Sequence, residues 1–273
     1  MARRHQLFGA IFIETVAAAP PAPSTLSLAH FDSAGATVIR SAQVPGGDYS
    51  NDASELDFYQ RQIPGFQYLN ETQAVTTTVD EIPTVTWTFA GGTELDTAQK
   101  KFGSASALFP AAAGGAATAV NTSFTSPHAG NWTFELFFRA AANSILQARL
   151  RDASANIGIA INVDMQAVPG NISANYVDSG GSSFLTQLSV GVVTLADTWY
   201  HTAVVREGTS YSLYFDGNRL DTDVDATNIR SVTEGNMNEA NGADLWVDEY
   251  RVSSGARYTG ATYTIPAAPF VVD

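Results

Sequence analysis

Beyond its first two dozen residues the chain is dominated by short runs in which apolar and polar positions alternate, separated by turn-forming residues. The clearest run is Trp132-Thr-Phe-Glu-Leu-Phe-Phe-Arg139. The two-residue period of a strand puts Trp132, Phe134, Leu136 and Phe138 on one face and Thr133, Glu135, Phe137 and Arg139 on the other. Residues 198–206 and 210–215, joined by Glu207-Gly208-Thr209, read as a hairpin, and Asp216-Gly217 turns the chain again. Further strands are predicted over 84–89, 145–150, 157–163, 172–177, 184–193 and 245–252. No segment carries a long helical stripe. The pattern predicts an all-β antiparallel sandwich or barrel with Trp132, Phe134, Phe138, Trp199, Leu213, Phe215 and Trp246 among its buried residues.

Two stretches depart from this pattern. Residues 1–23 begin with Arg3 and Arg4, continue through an apolar segment ending at Ile13, and pass Ala17-Ala18-Ala19 to Pro20-Pro21-Ala22-Pro23. This is the outline of a secretory signal, but Glu14 interrupts the apolar core, so a retained segment is the expectation. Leu7, Phe8, Ile11, Phe12 and Ile13 then form an assembly anchor, and the prolines form a stiff spacer to a sandwich over 24–273. The second stretch, 41–83, is rich in Asp and Glu with Arg61 as its one base, has weak periodicity, and reads as an acidic insertion or long decorated loop.

Charge and composition remove several function classes. A net charge of −13, with 14 Lys and Arg against 27 Asp and Glu, argues against partners held by phosphate neutralisation, so neither nucleic acid nor an anionic membrane is expected. No apolar run is long enough to span a bilayer. Zero Cys removes disulfides, thiolate metal sites and cysteine nucleophiles together. Glycine-rich phosphate loops, the G-x-S-x-G elbow and H-E-x-x-H are all absent.

The remaining catalytic class for a sandwich is glycoside hydrolysis, which needs two carboxyl groups about 5–10 Å apart. Glu135 is the best-placed acid, yet its same-face neighbours Thr133, Phe137 and Arg139 offer no partner. Asp248 and Glu249 are adjacent, so on a regular strand they point to opposite faces. Asp221, Asp223 and Asp225 alternate and share one side if extended, which makes them weak Ca²⁺ candidates or a charged edge that resists aggregation. An EF-hand starting at Asp221 fails, because Ala226 and Val232 stand where Gly and Glu are needed. The chain is therefore expected to be no enzyme, with no cofactor beyond Ca²⁺.

Several segments, in fixed order, resemble the laminin-G/concanavalin A-like domain in the divergent form found in bacteriophage virion proteins. They are Leu28-Ala-His-Phe-Asp32, Lys101-Phe-Gly-Ser-Ala-Ser-Ala-Leu-Phe109, Trp132–Arg139, Trp199-Tyr-His-Thr-Ala-Val-Val-Arg206 with Tyr214-Phe-Asp-Gly217, and Leu245-Trp-Val-Asp-Glu-Tyr-Arg-Val-Ser-Ser-Gly-Ala-Arg-Tyr-Thr259. The resemblance implies a two-sheet jelly-roll sandwich. It also implies a non-catalytic head decoration or tail fibre protein, located in the virion, whose partners are other virion proteins, further copies of itself as a homo-oligomer, and a host-surface glycan. The alternative is a secreted bacterial lectin or adhesin.

Overall fold

A computed structural model describes residues 24–29, 77–79, 86–111, 117–122, 129–166, 170–177, 184–239 and 242–271. In chain order its strands are β1 (Ser24–Ala29), β2 (Thr77–Val79), β3 (Thr86–Ala90), β4 (Glu94–Asp96), β5 (Ser106–Phe109), β6 (Thr118–Thr122), β7 (Trp132–Ala140) and β8 (Ile145–Arg151). They continue with β9 (Ile157–Asp164), β10 (Gly170–Val177), β11 (Phe184–Val192), β12 (Tyr200–Glu207), β13 (Ser210–Phe215), β14 (Asn218–Val224), β15 (Glu234–Glu239) and β16 (Leu245–Ser254). The predicted anchor residues Leu7, Phe8, Ile11, Phe12 and Ile13 lie outside the described residues, as does the acidic stretch apart from β2.

The strands form two antiparallel sheets of eight. Sheet A runs β14-β13-β12-β7-β16-β5-β4 with β1 also on β16, and sheet B runs β11-β10-β9-β8-β15-β6-β3-β2. Strands adjacent in space but distant in sequence, such as β7 between β12 and β16, carry the chain back and forth between the layers. This is the expected all-β sandwich, and no helix among the described residues is long and apolar enough to cross a membrane.

The inner faces meet as predicted. Trp132, Phe134, Leu136 and Phe138 of β7 are fully buried against Leu213 and Val204 of sheet A and Leu146, Ile161 and Ile172 of sheet B. Aromatic rings interlock edge to face at the centre, with Tyr250 4.9 Å from Trp87 and 5.1 Å from Phe134. Such pairs contribute about 0.5–1.5 kcal/mol beyond the area they bury. The Asp216-Gly217 turn has φ of 44° and 88°, the two positive values that a two-residue hairpin between β13 and β14 requires.

The outer face of sheet A overturns the simple alternation. Thr133, Glu135 and Phe137 are as buried as the inner residues of β7. The chain after β16 folds back across them, bringing Phe270 against Phe137 with Phe102, Trp199 and Ile265 around the pair. Trp199, predicted to be buried, is only partly so, in this outer cluster. Trp246 is buried as predicted, but it pairs with Arg139 on the outer side, where its indole nitrogen donates to Asp96 at 2.7 Å.

A bulge between Asp248 and Arg251 corrects a second expectation, that Asp248 and Glu249 point to opposite faces. Glu249 takes a left-handed φ of 56°, so one extra residue is absorbed. Both carboxylates then serve the outer layer. Asp248 accepts from the amides of Lys101 and Phe102 at 2.9 and 3.1 Å, and Glu249 accepts from the amide of Phe270 at 2.6 Å.

Tight packing makes Gly235 of β15 a test of this core. A Cβ there would stand 2.8 Å from the Tyr250 hydroxyl and 3.2 Å from the Trp87 ring. Gly235→Ala is expected to destabilise the sandwich by about 1–3 kcal/mol, read as a lower urea midpoint with an unchanged slope; a variant as stable as the parent would refute this packing.

Candidate functional site

Two polar assemblies stand out, one on each outer face. On sheet A, Glu135 (β7), His201 (β12) and Arg251 (β16) come together because β7 lies between β12 and β16, with Glu135 facing Arg251 in register. Glu135 is completely buried. Its Oε1 accepts from Arg251 Nε at 2.8 Å and Nη2 at 2.7 Å. Its Oε2 accepts from the Tyr258 hydroxyl at 2.6 Å and faces His201 Nε2 at 3.1 Å. His201 Nδ1 is in turn hydrogen-bonded to the Tyr263 hydroxyl.

Burial alone would raise the Glu135 pKa. The His201 hydrogen bond, the Arg251 and His201 charges and the Tyr258 hydroxyl outweigh that and hold it down to about 2. Burial, then the Glu135 charge, pushes the Tyr258 hydroxyl well above its ordinary range, so it stays a donor. The arrangement can hold Tyr258 and Tyr263 of the covering segment on the sheet. It offers a substrate no free oxygen.

On sheet B the outer face is open over β8 and parts of β9 and β10, while Asn236 and Asn238 of β15 are buried. Burial along β8 alternates strictly, whereas β7 and β12 are buried on both faces. A depression of about 410 Å³ lies over β8, β9 and β10, lined by Ile145, Gln147, Arg149, Ile157, Ala160, Asn162, Asp164, Asn171, Ser173 and Asn175. The antiparallel register stacks these side chains into rows: Arg149, Ala160 and Asn175; Gln147, Asn162 and Ser173; Ile145, Asp164 and Asn171. Small Ala160 and Ser173 in adjacent rows make the hollow. Asn236 and Asn238 of β15 extend the rows beyond Arg149 and Gln147, and Asn238 Nδ2 donates to Gln147 Oε1 at 3.1 Å.

Asn and Gln each present an uncharged donor and an uncharged acceptor at a fixed spacing, which is the chemistry that matches vicinal hydroxyl groups. The apolar residues of the same strands pointed to the core, and the alternate Asn, Gln and Ser positions carried this site unnoticed. Their recurrence on three successive strands was the available signal.

Asp221 and Asp223 lie on β14, extended as expected at the edge of sheet A, and Asp225 follows it. Asp221 Oδ1 accepts from the amide of Thr222 and Asp225 Oδ1 from that of Thr227. No group of three or more His, Cys, Asp or Glu able to hold a metal occurs among the described residues. A further buried acid, Glu239, accepts from Ser144 at 3.0 Å, and burial raises its pKa.

The Glu135 cluster gives stability a sign with pH. Its folded pKa lies below its ordinary 4.5, so its contribution is complete above pH 4.5 and is lost as pH falls toward 2. The difference corresponds to something on the order of 3 kcal/mol. Glu135→Gln, which leaves Arg251 buried without its carboxylate, is expected to cost about 3–5 kcal/mol at pH 7 and to flatten the fall in stability between pH 4.5 and pH 2.5. Urea unfolding of both proteins at these pH values checks it.

Among curated proteins none matches the sequence. Among solved structures the chain is similar to galectin LEC-6 of Caenorhabditis elegans, at 16% identity and TM-score 0.34, over 46% of this chain and 84% of that one. It is similar to the carbohydrate-binding module CBM66 of Bacillus subtilis, at 16% identity and TM-score 0.36, over 62% and 92%. The metal-free exoplasmic/lumenal domain of VIP36 gives 15% identity and TM-score 0.45, over 70% and 92%. A laminin-G family model matches residues 112–258, more than half of the chain and most of both sheets, and on that match the chain belongs to the concanavalin A-like lectin/glucanases superfamily.

Proposed function

We propose that the chain is a non-catalytic carbohydrate-binding module that takes a saccharide into the hollow over β8, β9 and β10. The observation that carries this reading is the asymmetry of the two outer faces: sheet A is sealed by the segment after β16, and sheet B exposes an amide-lined depression. Asp164 is the one acid among the lining residues, so the hollow lacks the paired carboxyl groups of a glycosidase. Membership of a superfamily that includes both lectins and glucanases is compatible with either activity, and the lining residues favour binding.

Display of this module on a bacteriophage particle, as a decoration or tail fibre component, is the wider reading. It rests on the motif resemblance and on the anchor residues Leu7, Phe8, Ile11, Phe12 and Ile13 in the sequence. A secreted lectin or adhesin would use the same hollow.

Asn162→Ala removes the amide at the centre of the hollow, from a half-buried position on the face away from the inner core. It is expected to weaken saccharide binding at least tenfold while leaving the thermal midpoint within about 2 °C, for a change of under about 0.5 kcal/mol. Affinity electrophoresis in polysaccharide gels measures it, and full binding by the variant sinks the site. Release of reducing ends that disappears in Asp164→Asn would overturn the non-catalytic reading. For the wider reading, the chain lacking residues 1–23 should fold yet fail to join particles in a reconstitution assay; incorporation equal to the full chain refutes the anchor.

A further inference from the structure

Arg149 sits at one end of the hollow, in the row with Ala160 and Asn175. Its side chain is partly buried, and its hydrogen-bond partner is the Gln147 Oε1 carbonyl. No carboxylate pairs with it among the described residues. In this it differs from Arg139, Arg151, Arg230, Arg251 and Arg257, each of which has a carboxylate within 4.0 Å. Arg151, two residues on along β8, is neutralised by Glu234. Asp164 lines the opposite end of the hollow, four residues from Ala160 along β9, or about 13 Å away at roughly 3.3 Å per residue.

A guanidinium half-withdrawn from water, flanked by a second arginine and left without a counter-charge, is held at a cost in a protein whose net charge is −13. Burial first, and the Arg151 charge second, lower its pKa, so an anion placed beside it relieves both effects. A guanidinium also presents the planar donor fork that fits a carboxylate or sulfate. Asn175 lies in the same row, beyond Ala160, with an amide to engage a hydroxyl group of the same ligand.

We infer that the saccharide recognised by this hollow carries an acidic group, a uronate, sialate or sulfate, and that Arg149 is the residue that selects it. The inference rests on the carbohydrate-binding reading and narrows it to the acidic class.

The test uses the full chain and pairs of saccharides that differ only in charge: trigalacturonate and its methyl ester, an alginate trimer and its methyl ester, sialyllactose and lactose, and sulfated and unsulfated lactose. Isothermal titration at low and at 0.5 M salt gives each affinity. At least one acidic member should bind tenfold or more tightly than its neutral counterpart at low salt, with the gap narrowing at high salt. Arg149→Gln should close that gap, Arg149→Lys should restore part of it, and Arg151→Gln should leave most of it. Free acetate and sulfate at the same concentrations should not compete, which separates an acidic sugar from a bare anion. Neutral members binding as tightly as acidic ones, or a gap that survives Arg149→Gln, overturns the inference and leaves the saccharide site standing. Competition by the free ions reassigns the site to a bare anion and also overturns it. If no member of any pair binds, the carbohydrate reading itself fails and this inference falls with it.

Discussion

A single buried carboxylate decides which face of this sandwich is available. Glu135 sits at the middle of sheet A with both oxygens engaged by donors from β12, β16 and the segment beyond β16. A buried carboxylate without such partners would be costly, and leaving any donor unpaired costs nearly as much. The cluster therefore holds only if Tyr258 and Tyr263 stay folded over the sheet, and their rings, together with Phe270 on Phe137, bury the rest of that face. Arg251 completes the cover from below, its guanidinium 3.8 Å from the Phe270 ring. With sheet A closed in this way, any surface recognition by the broad faces falls to sheet B.

The bulge in β16 belongs to the same design. Its first part pairs with β5 through Leu245–Val247, and its later part pairs with β1 through Tyr250–Ser254. Asp248 and Glu249 fall between these two neighbours, so on that edge the extra residue interrupts no ladder pair; on the other edge it is absorbed between the Asp248–Phe137 and Arg251–Glu135 pairs with β7. In return it directs two adjacent carboxylates to amides of the two chain segments that cover the sheet, at Lys101–Phe102 and at Phe270.

Much of the sandwich was legible from alternation, because period-two burial is a local property. The Trp132 run, the hairpin of β12 and β13 and the Asp216-Gly217 turn all follow from neighbours in sequence. What was illegible depends on distance. Glu135 finds its partners 66, 116 and 123 residues away, so a strand-by-strand reading could seek only a second acid beside it and found none. Strand β15, Glu-Gly-Asn-Met-Asn-Glu, has Met237 as its one large apolar residue and is strand only because β6 and β8 flank it. All the site residues of sheet B but Asp164 and Asn171 lay within predicted strands, but amides on a solvent face look like ordinary solubility until the register aligns them.

The electrostatics of the open face differ from those of the molecule as a whole. A charge of −13 creates a field that opposes acidic ligands at long range. In physiological salt that field is screened within about 8 Å, so a bound group responds mainly to the charges nearest it. Over the hollow, among the described residues, these are Arg149, the Arg151–Glu234 pair that cancels itself, and Asp164 at the far end. The local sign beside Arg149 is therefore positive on a negative protein. Global charge thus discourages long polyanions such as nucleic acid, while over the floor of the hollow the nearest side chains set the local sign, and the two properties act over different distances without conflict.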